Sequence, residues 1–223
     1  MIIYLVRHAE STGNISPSFN GREDVPLSEN GMRQAELLGT FFKDKKLNKI
    51  YTSMLGRTIQ TADCALPGLK DTFINEENLN EINGGDWEGR DYEDIFKLWG
   101  DEFQKWRELP HLAQPPNGEN LYDVQKRAVK ALNDIVLENP SDSSIAIFSH
   151  GAVIKTLIAY IRSLPLEEVK DIAWYENSSV TEIIYKDGKY NLGFYDNHDH
   201  LPDHIKTVAN SDWGKTEKHT CLY

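Results

Sequence analysis

Met1-Ile2-Ile3-Tyr4-Leu5-Val6-Arg7-His8 opens the chain with an apolar run that ends in a basic pair. A near-continuous apolar run over residues 2 to 7 predicts a strand of a parallel sheet, buried on both faces. The arrangement recurs at Lys49-Ile50-Tyr51-Thr52-Ser53, with Arg57 just beyond, and at Ile145-Ala146-Ile147-Phe148-Ser149-His150-Gly151. In an open α/β sheet the carboxyl ends of parallel strands line up along one edge, and ligands bind there. Arg7, His8, Arg57 and His150 are therefore expected to meet in one pocket despite their separation in sequence.

Outward from these strand ends the chain alternates. Ser28-Glu29-Asn30-Gly31 reads as a helix start, followed by Ala35, Leu37, Leu38, Phe41 and Phe42 at the spacing of one helical face. Gly56 to Ala65 reads as a helix with Arg57 in its first turn, where free N–H groups attract anions. From Tyr92 to about Glu138 two helical patterns, separated by a loop over Pro110 to Asn117, interrupt the alternation and predict a helical insertion over the sheet edge. Val153 to Ile161 predicts a further helix and Ser178 to Tyr185 a strand, while Asp187-Gly188 signals a hairpin into an antiparallel strand over Tyr190 to Tyr195. The expected fold is α/β: a three-layer sandwich with a mostly parallel central sheet, an antiparallel edge strand and the helical insertion. One domain is expected over residues 1–223, with a polar tail from about 197 to 223 lying against it.

Composition narrows the ligand. At 223 residues and 39% hydrophobic content the chain can fill an ordinary core. It has no apolar stretch near the roughly 20 residues that cross a bilayer, and no leader pattern precedes the first strand, so a soluble cytosolic protein is expected. Cys64 and Cys221 are expected to be free thiols. A net charge of -11 argues against nucleic acid and against an anionic membrane as partners. A small anion is compatible with that charge, because paired hydrogen bonds from arginines in a cleft outweigh screened distant charges.

These residue types suit one chemistry. A phosphomonoester needs planar guanidinium forks to hold its charged oxygens, which Arg7 and Arg57 supply. Attack on phosphorus needs a neutral imidazole, and two nearby guanidinium groups disfavour the protonated form of His8. His150 can donate a hydrogen bond to the transferring group. The leaving oxygen needs a proton from a carboxylic acid, and Glu81 and Glu88, in the glycine-rich segment Leu79 to Gly89, are both candidates that spacing does not separate.

Taken together, four blocks resemble the histidine phosphatase superfamily, the phosphoglycerate-mutase-like clan: Arg7-His8-Ala9-Glu10-Ser11 with Asn14; Tyr51-Thr52-Ser53 with Arg57 and Thr61-Ala62; Glu81 ahead of Gly85-Asp86-Trp87-Glu88-Gly89; and Ser149-His150-Gly151. The likeness runs from Met1 to about Tyr195. Trp106 to His111, Gly118-Glu119-Asn120 and Asp123-Val124-Gln125 with Arg127-Ala128 make it most similar to the cofactor-independent, broad-specificity phosphatase branch. The resemblance implies that His8 is the phosphorylated nucleophile, that Arg7, Arg57 and His150 bind the phosphoryl group, and that Glu81 is the proton donor. Asn14, Asn20 and Gly21 match positions lining the substrate side, beside Gly151. It departs at Ala9, where the family usually has glycine, and a methyl would penalise a positive φ.

The expected activity is hydrolysis of a small phosphorylated metabolite through a phosphohistidine, with no metal or cofactor. The alternatives are a phosphoglycerate mutase, or a non-catalytic phosphate-binding protein of the same fold. His198, His200 and His204 lack a cysteine partner or second cluster and are not read as a metal site. Arg22, Arg90 and Lys155 are candidates to enlarge the anion pocket. Trp99, Phe103, Trp106 and Leu112 face either the core or the substrate rim. Oligomeric state is left open, a homodimer included.

Overall fold

The computed structural model describes residues 1–209 and places six strands in one sheet. They are β1 (Ile2–Arg7), β2 (Lys49–Thr52), β3 (Phe73–Asn75), β4 (Ser144–Ser149), β5 (Val180–Lys186) and β6 (Lys189–Leu192), in the order β3-β2-β4-β1-β5-β6. The pairs β3–β2, β2–β4 and β4–β1 are parallel, whereas β5 runs antiparallel to β1 and β6 antiparallel to β5. Five helices accompany them among the described residues: α1 (Glu29–Phe42), α2 (Gly56–Ala65), α3 (Tyr92–Glu108), α4 (Leu121–Glu138) and α5 (Gly151–Ile161).

Alternation along the central strands builds a core on each face. Ile3, Leu5, Ile145 and Ile147 pack with residues of α4 and α5. Tyr4, Val6, Ala146 and Phe148 pack with Leu38 and Phe42 of α1 and Ala62 and Ala65 of α2. Because both faces are covered, β1 and β4 read as unbroken apolar runs rather than as alternating ones. The register then aligns the strand ends: Arg7 lies opposite Ser149, and Val6 and Thr52 both lie opposite Phe148. His8, Ser53 and His150, each one residue further on, share one edge.

Local chemistry holds the connections. Ser28 caps α1, its hydroxyl accepting from the Gly31 N–H at 2.9 Å. Gly31 is needed for close approach, since a Cβ there would lie 1.9 Å from the Glu10 carbonyl oxygen. Asp187 and Gly188 adopt φ of 52° and 76°, the left-handed pair of a two-residue hairpin turn.

One feature differs from the sequence expectation. β3 was not foreseen, since three residues are too short to show a period. The stretch from 92 to 138 holds two helices, α3 and α4, which are placed differently. Leu121, Val124, Ala128 and Leu132 of α4 belong to the core beneath the sheet, so α4 is part of the covering layer. Of the two, α3 faces the cleft through Tyr92 and Trp106, with the helix kinked at Trp99 (φ -140°, ψ 44°). Cys64 is a free, partly exposed thiol, and Cys221 falls outside the described residues. Among the described residues no helix is long and apolar enough to cross a membrane.

Candidate active site

The strand ends open into a cleft of about 1010 Å³ out to its mouth, lined at its base by Arg7, His8, Asn14, Arg57, Glu81 and Gly151. His8 leaves β1 and is fixed by its backbone: its N–H donates to the Ser149 carbonyl at 3.0 Å, and its own carbonyl accepts from the Asn177 side-chain amide at 2.9 Å. The ring is fixed as well. Nδ1 lies 2.7 Å from the Ala9 carbonyl, an acceptor only, so Nδ1 carries the proton and Nε2 keeps its lone pair. Ala9 is not among the residues with positive φ, and its buried methyl packs with Leu27 and Ala35, so the departure from glycine carries no strain.

His150 stands behind His8, with ring centroids 5.1 Å apart, and is fully buried rather than part of the cleft wall. Its Nε2 lies 2.7 Å from Ser53 Oγ. Ser53 Oγ accepts from the Leu55 N–H at 3.1 Å and lies 2.9 Å from Thr58 Oγ1, where either hydroxyl can donate, so the network is satisfied by either tautomer of His150. Nδ1 of His150 is buried with no protein partner. A buried ring nitrogen left unmatched beside a cationic cleft is, when it carries the proton, a donor suited to an incoming anion.

The arginines are held by carbonyls, not carboxylates. Arg57 donates to Glu23 O at 2.9 Å and Gly21 O at 2.6 Å, Arg7 Nη1 donates to Tyr175 O, and Arg7 Nε has no partner. Neither guanidinium forms an ion pair among the described residues, so both keep charge for a ligand. Burial, then Arg57 and Arg7, hold the His8 imidazole well below its ordinary pKa, and burial and Arg57 do the same to His150. Both rings are neutral at pH 7.

The two carboxylate candidates separate on geometry. Glu88 accepts from the N–H groups of Gly21, Arg22, Glu23 and Gly84 at 2.7 to 3.1 Å and does not line the cleft; it ties two loops together. Glu81 lines the cleft, with Oε1 taking the Ile82 N–H at 2.9 Å and Oε2 the Ala152 N–H at 3.3 Å. It alone of the pair can reach a ligand there.

Other expected site residues sort as follows. Asn14, Asn20 and Gly151 line the cleft. Gly21 does not: its carbonyl holds Arg57, and a Cβ on it would lie 2.2 Å from Ile82 O, so its part is structural. Trp106 lines the cleft, Phe103 is buried in the core, Trp99 packs beside it, and Leu112 is exposed. Arg22 is bound to Glu119 and Glu81 O, and Arg90 reaches Asp86 O and the Trp99 ring, so neither faces the cleft. Lys155 lies behind Trp174, its Nζ 4.5 Å from the ring centroid. The tail histidines do not converge: His198 is 3.7 Å from Asp196, His200 sits by Phe41, and His204 is exposed. Among the described residues no three His, Cys, Asp or Glu side chains gather as a metal site.

Sequence reading missed the closing wall. Trp174, Asn177, Thr207 and Val208 all line the cleft. Glu176, 3% exposed, accepts from the N–H groups of Asn177, Thr207, Val208 and Ala209 at 2.8 to 3.0 Å, which clamps the C-terminal segment over the mouth. No periodicity marks such a contact, because three of its four donors lie more than thirty residues along the chain.

An imidazole with a free nitrogen, two unpaired guanidinium groups and a carboxylate, set at the carboxyl edge of a parallel sheet, define a phosphoryl-binding α/β protein. The profile of the histidine phosphatase superfamily (branch 1) matches residues 3–198, and the chain belongs to that family. It is 30% identical over 192 residues, 84% of this chain and 86% of the relative, to a protein of Yersinia pestis named as a probable phosphoglycerate mutase, GpmB. Among solved structures it is similar to YhfR of Bacillus stearothermophilus, with TM-score 0.83, 33% identity, and coverage of 92% of this chain and 98% of that one. It is similar also to the alpha-ribazole phosphatase of Shigella flexneri, with TM-score 0.81, 25% identity, and coverage of 89% and 97%.

Proposed function

We propose that the protein is a metal-independent phosphatase that hydrolyses small phosphomonoesters through a phosphohistidine on His8. The observation that carries this is the neutral His8 ring, Nε2 bare, beside Arg7 and Arg57 with Glu81 in the same cleft. Nε2 attacks phosphorus, the bond from phosphorus to the ester oxygen breaks, and Glu81 delivers a proton to the departing alkoxide. Water then attacks the phosphohistidine, Glu81 takes its proton, the P–N bond breaks and inorganic phosphate leaves. Arg7 and Arg57 hold the equatorial oxygens throughout, and the Nδ1–H of His150 donates to them once the group is in place. Asn14, Asn20 and Gly151 shape the substrate side.

A phosphoglycerate mutase is the second reading, favoured by the name of the Yersinia relative. A mutase must retain a doubly phosphorylated intermediate, and among the described residues the cleft offers Arg7 and Arg57 as its only cations. Hydrolysis fits that charge better. A similar protein from Entamoeba histolytica with 26% identity is named a phosphoserine phosphatase, which agrees with the hydrolytic reading. The partner is a small phosphorylated metabolite in the cytosol, and the net charge of -11 sets nucleic acid and anionic membranes aside.

The test is phosphate release from para-nitrophenyl phosphate beside isomerisation of 3-phosphoglycerate, with and without 2,3-bisphosphoglycerate and with a chelator. Expected are release without isomerisation, indifference to chelator, and a fall on the order of 10⁴-fold or more in kcat/KM for His8→Ala, with loss of the acid-labile phosphoenzyme. Isomerisation exceeding release would replace this reading with the mutase.

A further inference from the structure

The chemistry of the reacting pole leaves the rest of the cleft without charge. Arg7 and Arg57 both serve the phosphoryl position, and among the described residues no third cation lines the cleft. A carboxylate or second phosphate on the alcohol part of a substrate would be desolvated there without a partner. Apart from Glu81, the remaining lining is uncharged, and its apolar part is formed by Phe19, Ile82, Tyr92, Trp106, Ala152 and Trp174.

The two tryptophans are held in place from different elements. Trp106, on α3, packs edge-on against Phe19 and Trp87 at centroid distances of 5.5 and 6.3 Å. Trp174, in the segment before β5, leans on α5 so closely that a methyl at Gly151 would stand 2.9 Å from its Cζ3. One turn along α5, Lys155 lies only 8% exposed with its ammonium over the Trp174 ring. Burial, then Arg7, lowers Lys155 to about 8, so it is still mostly protonated at neutral pH and the cation–π contact persists. Asp171 acts in the opposite direction, favouring the charged form, so the ammonium remains available to the Trp174 ring.

We propose that this aromatic wall selects phosphomonoesters of alcohols carrying an uncharged aromatic ring, and that Lys155 is a positioning residue that fixes Trp174 for that contact. The inference rests on the phosphatase reading for its turnover arm. The aromatic residues line the same cleft as Arg7, His8 and Arg57, so a ring on the alcohol part of a bound ester would meet them.

The measurement compares 2-phenylethyl phosphate with ethyl phosphate, whose alcohols are similarly poor leaving groups, and with 3-phosphoglycerate. The phenyl ester should exceed the ethyl ester in kcat/KM by about tenfold to a hundredfold, the range that burial of one ring supports, chiefly through KM. 3-Phosphoglycerate should be the poorest of the three. Trp174→Ala should bring the phenyl-to-ethyl ratio within about threefold, and Lys155→Met should lower it while Lys155→Arg restores it. A parallel arm needs no turnover: 2-phenylethylphosphonate should displace inorganic phosphate at lower concentration than ethylphosphonate does, as read by calorimetry. Equal ratios in both arms, or preference for 3-phosphoglycerate, overturn the proposal. Failure to hydrolyse any ester while the phosphonate preference holds would overturn the phosphatase reading and leave the aromatic wall standing.

Discussion

At the strand ends, Arg7, His8 and His150 stand on or just beyond β1 and β4, the two most interior parallel strands, with the Arg7 guanidinium and the His8 ring tied by backbone carbonyls and the His150 ring by the Ser53 hydroxyl. Across the cleft, Trp106 stands on a helix kinked at Trp99, Trp174 on an irregular segment, and Thr207 and Val208 on a C-terminal segment clamped by one carboxylate. The first region places reacting groups on the stiffest part of the fold; the second places binding groups where sequence can vary without disturbing the sheet. Changes at the first should alter turnover for every substrate, and changes at the second should alter selection among them.

Glu81→Gln gives the largest expected effect of this kind. The amide keeps the shape, since its oxygen can still accept from Ile82 or Ala152, but it cannot supply a proton. For alkyl phosphates, whose alkoxides need that proton, kcat should fall by about 10² to 10⁴-fold. For para-nitrophenyl phosphate the phosphorylation step should be spared, since the phenolate leaves without help. An equal loss on both esters would show that Glu81 serves structure rather than proton transfer.

On the other side, Glu176→Gln sharpens the contrast. The charged carboxylate accepts four backbone N–H groups, and a glutamine would turn its NH₂ toward one set of them. KM should rise roughly three- to tenfold with kcat little changed, in line with the loss of one or two charge-assisted hydrogen bonds at a binding wall. Amide exchange at Thr207 to Ala209 should quicken. An unchanged KM with quicker exchange would show that the segment covers the cleft without touching the substrate.

The pole of the site was readable from sequence because its physics is local. Each apolar run ends where a buried strand must end, and a basic residue there has one edge to face, so Arg7, His8, Arg57 and His150 could be gathered before any coordinates. The closing wall was not readable. Glu176 finds its donors at residues 207 to 209, and Trp174 is placed by a glycine and a lysine on another element. The choice between Glu81 and Glu88 also waited for the fold, because only geometry shows that four backbone N–H groups already occupy Glu88. His150 was expected on the wall of the pocket and lies behind it, since the Ser53 contact draws its Nε2 inward.

Buried neutral imidazoles also mark the pole in its stability. In the unfolded chain His8 and His150 take up protons near pH 6.5, whereas in the folded protein burial and the guanidinium groups postpone this to well below that value. The unfolded state therefore binds more protons between the folded and unfolded values. Stability falls as pH drops from about 6.5 into that window and levels off beneath it. The melting temperature measured from pH 8 down to 5 should decline in the lower half of that range, and His150→Asn should flatten the decline. Parallel curves for the two proteins would mean that His150 takes up its proton at the same pH in the folded and unfolded states.

The smallest expected effect separates backbone need from packing at the pole itself. Ala9 donates its N–H to Thr61 Oγ1 at 3.0 Å and offers its carbonyl to His8 Nδ1, both contacts that a glycine would keep. Its φ is not positive, so glycine brings no relief of strain; it removes a buried methyl and loosens the unfolded chain. Ala9→Gly should cost about 1 to 2 kcal/mol, a drop in melting temperature of roughly 2 to 8 °C for a chain of this size, with kcat kept within about threefold. A large fall in kcat with stability intact would instead mean that the methyl itself holds the His8 ring, and the stiffness of the pole would then reside in side-chain packing rather than in the carbonyls that grip it.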